Sequence, residues 1–264
     1  MGRPLSGVRM MSLSTRRVWD IAITLTLWVY YIMGYLVIFS PFYLYSFFFS
    51  PQRDASFQKL NQLLHRRFFS VMRVLIPGVK WHISEDVSSI RSSIIIANHL
   101  SFLDPILFVS LFEKQKTIVK SEYFHYPVFG WILKTSGYMP SLADGLFTED
   151  MMNQVKNMAG YLATGGNLFI FPEGTRSRDG RIGPFDKGAF SIAKLCRAPI
   201  RVVSIGGTDK LYPPDSLCFH TGSRQTIEVS LAGSIEPDYK SSSFSVPGLM
   251  AEARVLLEGK DKGR

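Results

Sequence analysis

Two kinds of hydrophobic pattern divide the chain. Residues 21–49, "IAITLTLWVYYIMGYLVIFSPFYLYSFFF", run for 29 positions without a charge. A helix that crosses a bilayer needs about 20 apolar residues, so length alone permits a crossing. Residues 57–76, "FQKLNQLLHRRFFSVMRVLI", continue with helical spacing. Phe57, Leu60, Leu64, Phe68, Val71 and Leu75 share one face, and Lys59, Arg66, Arg67 and Arg73 lie on the other. Two readings fit this segment: a helix lying on anionic lipid, or a linker helix docked on the next domain.

After Pro77-Gly78 the period changes. Short β-branched runs predict strands at 79–83, 93–97, 116–120, 167–171, 199–205 and 225–231. Helical stretches fill 105–113, 127–135, 149–164, 186–196 and 247–258, while "SLADG" at 141–145 and "SRDGRIG" at 177–183 read as exposed loops. This alternation predicts an α/β fold: a central mixed, partly parallel sheet flanked by helices, with an N-terminal membrane-associated helical segment. The expected organisation is a basic flank at 1–20, a membrane-associated segment with its amphipathic helix at 21–76, and an α/β domain at 77–264.

The apolar run is too long for a cleaved signal peptide, and no small-x-small cleavage site comes after it. Arg3, Arg9, Arg16 and Arg17 precede it and Arg53, Lys59, Arg66 and Arg67 come after, so the positive-inside rule sets no orientation. Gly34 and Ser40-Pro41 are expected to break it into a shallow hairpin. Two helices of about 14 residues would each rise only about 21 Å, short of a crossing, which favours a monotopic anchor over one tilted span.

Composition narrows the partners. Apolar residues make up 46% of 264, and the mean hydropathy is +0.10, which excludes a disordered chain. Lysine and arginine exceed the acidic residues by 30 to 21, a net +9 that suits anionic lipid or a phosphorylated substrate. Nucleic acid is not an expected partner, because no basic recognition helix or aromatic RNA-binding signature accompanies the charge. Cys196 and Cys218 lack metal-ligand or redox spacing, so both are expected to be packing residues, and no metal site is predicted.

Candidate chemistry lies at two strand ends. The run "SIIIA" delivers Asn98-His99 to the carboxyl end of its strand, where α/β sheets hold active sites. Asp104 sits just beyond, at a helix entrance. Either Ser101 opens a Ser-x-x-Asp capping box, or Asp104 is itself the N-cap with Pro105 at the first helical position. From the preceding turn the His99 ring can fold back on the Asp104 carboxylate, the geometry of a base and its orienter. The same letters also fit a helix cap beside an ordinary loop histidine. The second strand end, "FIFPEGTRS" at 169–177, sets Glu173 and Arg176 around Gly174-Thr175. An arginine there either binds phosphate with its planar fork or pairs internally with Glu173. A Ser-His-Asp hydrolase using Ser101 is disfavoured, since no Gly-x-Ser-x-Gly elbow exists in the chain.

Together, "NHLSFLD" at 98–104 and "FPEGTRS" at 171–177 resemble the glycerolipid acyltransferase family, of the bacterial 1-acyl-glycerol-3-phosphate acyltransferase type. Two further blocks resemble it: "KSEYFHYPVFGWILKTSGYMP" at 120–140, with Lys120, Pro127, Gly130 and Gly137 in register, and "FDKGAFSIAKLCRAPIRVVSI" at 185–205. The resemblance covers roughly residues 79–231. It implies transfer of a fatty acyl chain from acyl-CoA or acyl carrier protein, the co-substrate in place of any cofactor, to a lysophospholipid hydroxyl. The acceptor it implies is 1-acyl-glycerol-3-phosphate, giving phosphatidic acid. His99 becomes the general base and Asp104 its orienting carboxylate. Glu173, Gly174, Thr175 and Arg176 become acceptor-binding residues, with Lys120 a further phosphate candidate. Backbone N–H groups at the entrance of the 105–113 helix are expected to face the oxyanion. The implied setting is a bacterial-type inner membrane, with the site facing the cytoplasm.

Two positions depart from the family pattern. An Asp-Arg pair that often ends the second block is missing from "GYMPSLADG", and Val202 stands where the last block commonly has a second proline. The first departure leaves open another lysolipid headgroup, such as a lyso-amino-acid lipid. A non-catalytic membrane-binding protein is the alternative from another class.

Overall fold

The run Ile94–Ala97 has no polar position on either face, so a strand built from it needs cover on both sides. The computed structural model, which describes residues 13–141, 149–222 and 224–261, provides that cover. Its strands are β1 (Val79–Ile83), β2 (Ile94–Ala97), β3 (Gln115–Lys120), β4 (Met139–Ser141), β5 (Asn167–Ile170), β6 (Ile200–Gly206) and β7 (Gln225–Ile235). They form one mixed sheet in the order β1-β7-β6-β2-β5-β3-β4. The block from β6 to β4 is parallel, β7 runs antiparallel to β6, and β1 runs parallel to β7.

The helices are α1 (Leu13–Met33), α2 (Ser40–Phe49), α3 (Arg53–Leu75), α4 (Glu85–Ser88), α5 (Leu103–Leu111), α6 (Pro127–Thr135), α7 (Glu149–Ala163), α8 (Gly188–Cys196), α9 (Thr208–Leu211) and α10 (Val246–Asp261). Strand alternation sorts β2 between two cores. Ile95 and Ala97 pack with Leu27, Phe68 and Phe108 from α1, α3 and α5. Ile94 and Ile96 pack with Met158, Phe190 and Ala253 from α7, α8 and α10. Each buried isoleucine contributes roughly 1.5–3 kcal/mol relative to an exposed one, which makes β2 a stable platform for the turn after it.

Most predicted elements recur with shifted ends. The helix expected at 105–113 begins at Leu103, so Asp104 lies inside its first turn and is not its N-cap. β4 has no counterpart among the predicted strands: it is three residues long and contains Pro140, which an edge strand tolerates. β7 continues to Ile235, beyond the predicted end at 231, because its far half pairs with β6 after β1 has ended. Of the expected loop at 141–145, all but Ser141 lies outside the described residues.

The N-terminal segment departs from expectation. The apolar run does not fold back at Gly34 and Ser40-Pro41. α1, a π-helical turn (Gly34–Ile38) and α2 form one helical run over Ser14–Phe49. The chain reverses at 50–52 instead, and α3 returns antiparallel to it, with Tyr31 against Phe68 and Tyr43 against Phe57. Gly34 allows a close approach: a Cβ there would meet Leu64 Cδ1 at 2.6 Å. Pro41 falls in the first turn of α2, where no N–H is required.

α3 turns its apolar face inward, so the linker-helix reading describes it. Behind that face lies a buried polar layer. Gln58 Nε2 donates to the Ser136 carbonyl (2.9 Å), Asn61 Nδ2 to Ser136 Oγ (2.9 Å), and Tyr138 OH to Gln115 Oε1 (2.7 Å). These bonds join α3 to the residue that ends α6, and β3 to the residue before β4. The long run docks on the domain from Asp20, whose Oδ1 accepts from Thr221 N (2.9 Å), to Phe47, stacked edge-on with Trp131 (5.3 Å). Its other side is bare: Val29, Val37, Tyr45, Phe48 and Phe49 are each more than half exposed.

Candidate active site

The site is built where the parallel block ends. β2 stops at Ala97, opposite Val203, while β6 continues to Gly206. The Asn98 side chain replaces the missing rung. Its Nδ2 donates to the Ile205 carbonyl (2.9 Å) and its Oδ1 accepts from Ile205 N–H (2.8 Å). The backbone is thereby released to turn, and His99 leaves the sheet at a fixed point.

His99 and Asp104 meet. His99 Nδ1 lies 3.0 Å from Asp104 Oδ2. That oxygen also accepts the N–H groups of Leu100 (2.6 Å) and Ser101 (2.7 Å). The Asp104 side chain is fully buried, whereas 16% of the His99 side chain is exposed. The carboxylate oxygen is an acceptor, so Nδ1 carries the ring proton and Nε2 is left with its lone pair. Phe171, just past β5, stacks on the imidazole at 4.4 Å with the planes 23° apart. One face of the ring is closed by this contact.

Capping here differs from both sequence readings. Asp104 reaches back to the Ser101 N–H, but Ser101 Oγ donates to the Tyr212 carbonyl (2.7 Å) and accepts only a long bond from Leu103 N–H (3.3 Å). Ser101 is fully buried and committed, unlike a nucleophile. Most N–H groups at the helix entrance are committed: Leu100 and Ser101 to Asp104, Leu103 to Ser101 Oγ, and Asp104 to the Ser101 carbonyl, while Pro105 has none; the Phe102 N–H, at the N-cap, is not among them.

The 171–177 stretch comes to the same place. Glu173 Oε1 accepts the N–H of His99 (2.9 Å) and Oε2 that of Gly183 (2.8 Å). Burial pushes the Glu173 carboxyl up, and the two amides oppose that push. Ser177 N–H donates to the His99 carbonyl (2.7 Å), so the backbone of His99 is held on both sides. Gly174 is left-handed (φ 65°), a conformation that favours glycine, and with Thr175 it is exposed. Arg176 does not pair with Glu173, and it makes no hydrogen bond or ion pair within the described residues. Burial raises the phenols of Tyr123 and Tyr212, and the nearby Arg176 guanidinium pulls both the other way. Lys120 is exposed at the end of β3, two strands and about 10 Å from β2 along the same sheet edge.

Residues 78–206 match the family model described as Acyltransferase. That stretch, about half of the chain, carries an Acyltransferase domain. The matched stretch runs from β1 to the end of β6 and leaves out α1 to α3, α9, β7 and α10. A chloroplastic 1-acyl-sn-glycerol-3-phosphate acyltransferase of Brassica napus, BAT2, is 39% identical over 132 residues, 49% of this chain and 37% of that one. A 1-acyl-sn-glycerol-3-phosphate acyltransferase of Saccharomyces cerevisiae is 30% identical over 170 residues, 62% of this chain and 55% of its own. The aligned stretch thus spans about two-fifths to a little over half the length of these relatives. A crystal structure of the 1-acyl-sn-glycerophosphate acyltransferase PlsC from Thermotoga maritima matches with a TM-score of 0.70, over 94% of this chain and 98% of that one. At 21% identity, that likeness concerns the fold.

The structure brings together His99, Asp104 and Glu173, which sequence reasoning singles out, with Phe171, Asn98 and Trp28, to which it gives no role. Trp28 of α1 packs on Phe102 in the turn between His99 and Asp104 (5.5 Å) and on Tyr212 (6.3 Å). Phe171 stands within the 171–177 motif, yet strand alternation does not reveal which ring it will meet. Trp28 gives no signal beyond lying in an apolar run.

Proposed function

We propose that this acyltransferase moves a fatty acyl chain from acyl-CoA or acyl carrier protein to the free hydroxyl of 1-acyl-glycerol-3-phosphate, forming phosphatidic acid in phospholipid synthesis. The observation that carries the reading is the 3.0 Å contact of a partly exposed imidazole with a fully buried carboxylate. It leaves Nε2 as an oriented base. His99 Nε2 takes the proton as the acceptor oxygen attacks the thioester carbonyl. The C–O bond forms, the C–S bond breaks, and the thiolate leaves, recovering the proton from the imidazolium that Asp104 stabilises. No acyl-enzyme forms. General-base help of this kind contributes roughly 10² to 10⁴ in rate.

The acceptor is inferred from charge and from kinship. Arg176 is a cation with no ion-pair partner among the described residues, carried by a loop that bonds to His99 at both Glu173 and Ser177. Lys120 adds positive charge on the same sheet edge. The relatives named above act, by name, on 1-acyl-glycerol-3-phosphate. The bare side of the long helical run is the membrane face. With the run docked on the domain from Asp20 to Phe47, lipid can cover one side only, as in an in-plane monotopic anchor. The protein then lies on the cytoplasmic face of a bacterial-type inner membrane, where acyl thioesters reach the site from water and the lysolipid from the bilayer.

The test is direct. Purified protein on vesicles receives labelled acyl-CoA or acyl carrier protein and a panel of lysolipids. Phosphatidic acid is the expected product, and His99→Ala is expected to lower turnover by about 10³-fold or more with an unchanged melting temperature. A product formed only with another headgroup would overturn the acceptor assignment, and full turnover by His99→Ala would overturn the mechanism.

A further inference from the structure

We propose that Arg254, on α10 and outside the stretch that matches the family, is a positioning residue for the acceptor side of the site. The segment 171–187 joins β5 to α8 as 17 residues without regular structure. Loops of that length fluctuate unless they are tied down. This one carries Glu173, Thr175 and Arg176, so its order decides the geometry of the site.

Arg254 ties down its return half. Nη1 donates to the Gly183 carbonyl (3.0 Å) and Nη2 to the Ile182 carbonyl (2.9 Å). Nε donates to Glu258 Oε1 (2.6 Å), one turn along α10, which aims the planar fork at the loop. The guanidinium also lies over the Phe185 ring at 5.8 Å. The Ile182 carbonyl and the Gly183 N–H belong to one peptide unit. Arg254 therefore pulls on the oxygen of the same peptide whose N–H donates to Glu173 Oε2 at 2.8 Å. Such chains polarise, and a cation at one end strengthens the donation at the other. Glu173 then accepts the His99 N–H through its second oxygen (2.9 Å). The sequence of bonds runs from the α10 guanidinium through one peptide and one carboxylate to the backbone of the base.

Gly183 shows how tightly the peptide is held. A Cβ at that position would stand 3.2 Å from Glu173 Oε2, so a side chain would crowd this contact. The ion pair with Glu258 is half in solvent, at 39% and 44% exposure, and adds little stability of its own. The two carbonyl bonds are where Arg254 acts.

The kinetic part of the test rests on the function proposed above; the structural part does not. Full-length wild type, Arg254→Ala and Arg254→Lys are compared on phosphatidylcholine vesicles by amide exchange and by acyl-transfer kinetics. In Arg254→Ala, exchange at Gly183 and its neighbours is expected to rise about tenfold while β5 and α8 amides are unchanged. The KM for 1-acyl-glycerol-3-phosphate should rise about tenfold and that for acyl-CoA stay within about twofold. Arg254→Lys retains the charge and one carbonyl bond, and should fall between, at about threefold. A merely structural arginine would lower kcat in step with melting temperature and leave both KM values alone; that result overturns the proposal, as does unchanged loop exchange. Should Arg254→Ala fail to fold, wild-type exchange and KM in Arg254→Lys overturn it. A wild type that acylates no lysolipid refutes the functional reading, and the exchange data still decide whether Arg254 holds the loop.

Discussion

One oxygen of Asp104 does two jobs. Oδ2 takes the N–H groups of Leu100 and Ser101 and the Nδ1–H of His99, so the atom that closes the turn also orients the imidazole. Closing the turn and orienting an imidazole are therefore compatible, although Asp104 lies inside α5 and does not cap it. Asn keeps an acceptor oxygen of the same reach but loses the charge that steadies an imidazolium. Asp104→Asn is expected to lower turnover by about 10²-fold or more with less than about 1 kcal/mol of lost stability. Asp104→Ala removes the acceptor and strands two buried amides, each costing about 1–3 kcal/mol. Denaturant melts of both variants, alongside turnover, separate the two jobs: an equal stability loss in each would mean that charge, not bonding, holds the turn.

At the scale of elements, the packing of α3 against the long apolar run decides what the N-terminal segment is. Glycine and proline read as breaks in the sequence because both interrupt isolated helices. Here Gly34 faces Leu64, and the lack of a side chain lets two helices approach. The polar residues on the inner face of α3 have a thermodynamic signature. His65 is wholly buried, against the Asn61 carbonyl and the hydroxyls of Tyr31 and Tyr35. Burial lowers its pKa from 6.5 to about 4. Between those values the unfolded chain binds a proton that the folded chain refuses. The contribution is complete above about pH 6.5 and is lost as the pH falls toward 4, by roughly 3 kcal/mol. Melting temperatures of wild type and His65→Gln across this window are expected to converge at the acid end. Parallel curves would mean that His65 is not held neutral.

For the whole molecule, the arrangement puts the apolar helical run and the sheet edge that carries His99 in mechanical contact. α1 bonds to the 219–221 segment through Thr24 and Asp20, Tyr212 receives Ser101 from the turn after His99, and Trp28 packs against Phe102. On the proposed membrane placement, seating the helical run on lipid would set the height of His99 above the bilayer. Phe48 and Phe49, 67% and 71% exposed, lie at the far end of the apolar face. Burying a Phe stabilises by roughly 1.5–3 kcal/mol, so the double change to Ser is expected to weaken vesicle binding by at least about tenfold without altering the melting temperature. Cosedimentation with vesicles measures it, and unaltered binding would move the membrane face elsewhere.

How much of this can be read from the chain depends on the reach of the interaction. The α/β class, the six longer strands and the His99–Asp104 pair are legible, because periodicity is local and the pair is joined by a single turn. Residues 98–104 and 171–177 also carry the family likeness. The roles of Ser101, Gly34, Pro41 and Arg254 are not, since they depend on Tyr212, Leu64, the π-helical turn and the 182–183 peptide, none of which a local pattern identifies. The amino-acid sequence by itself determined which segments must be buried, which strand ends carry reactive side chains and that a histidine could meet its carboxylate. Tertiary structure alone decided that the apolar run docks along the domain and that a C-terminal arginine grips the loop behind Glu173. Periodicity acts within a few residues, whereas close packing and long-range hydrogen bonds select partners only after the chain has brought distant elements together.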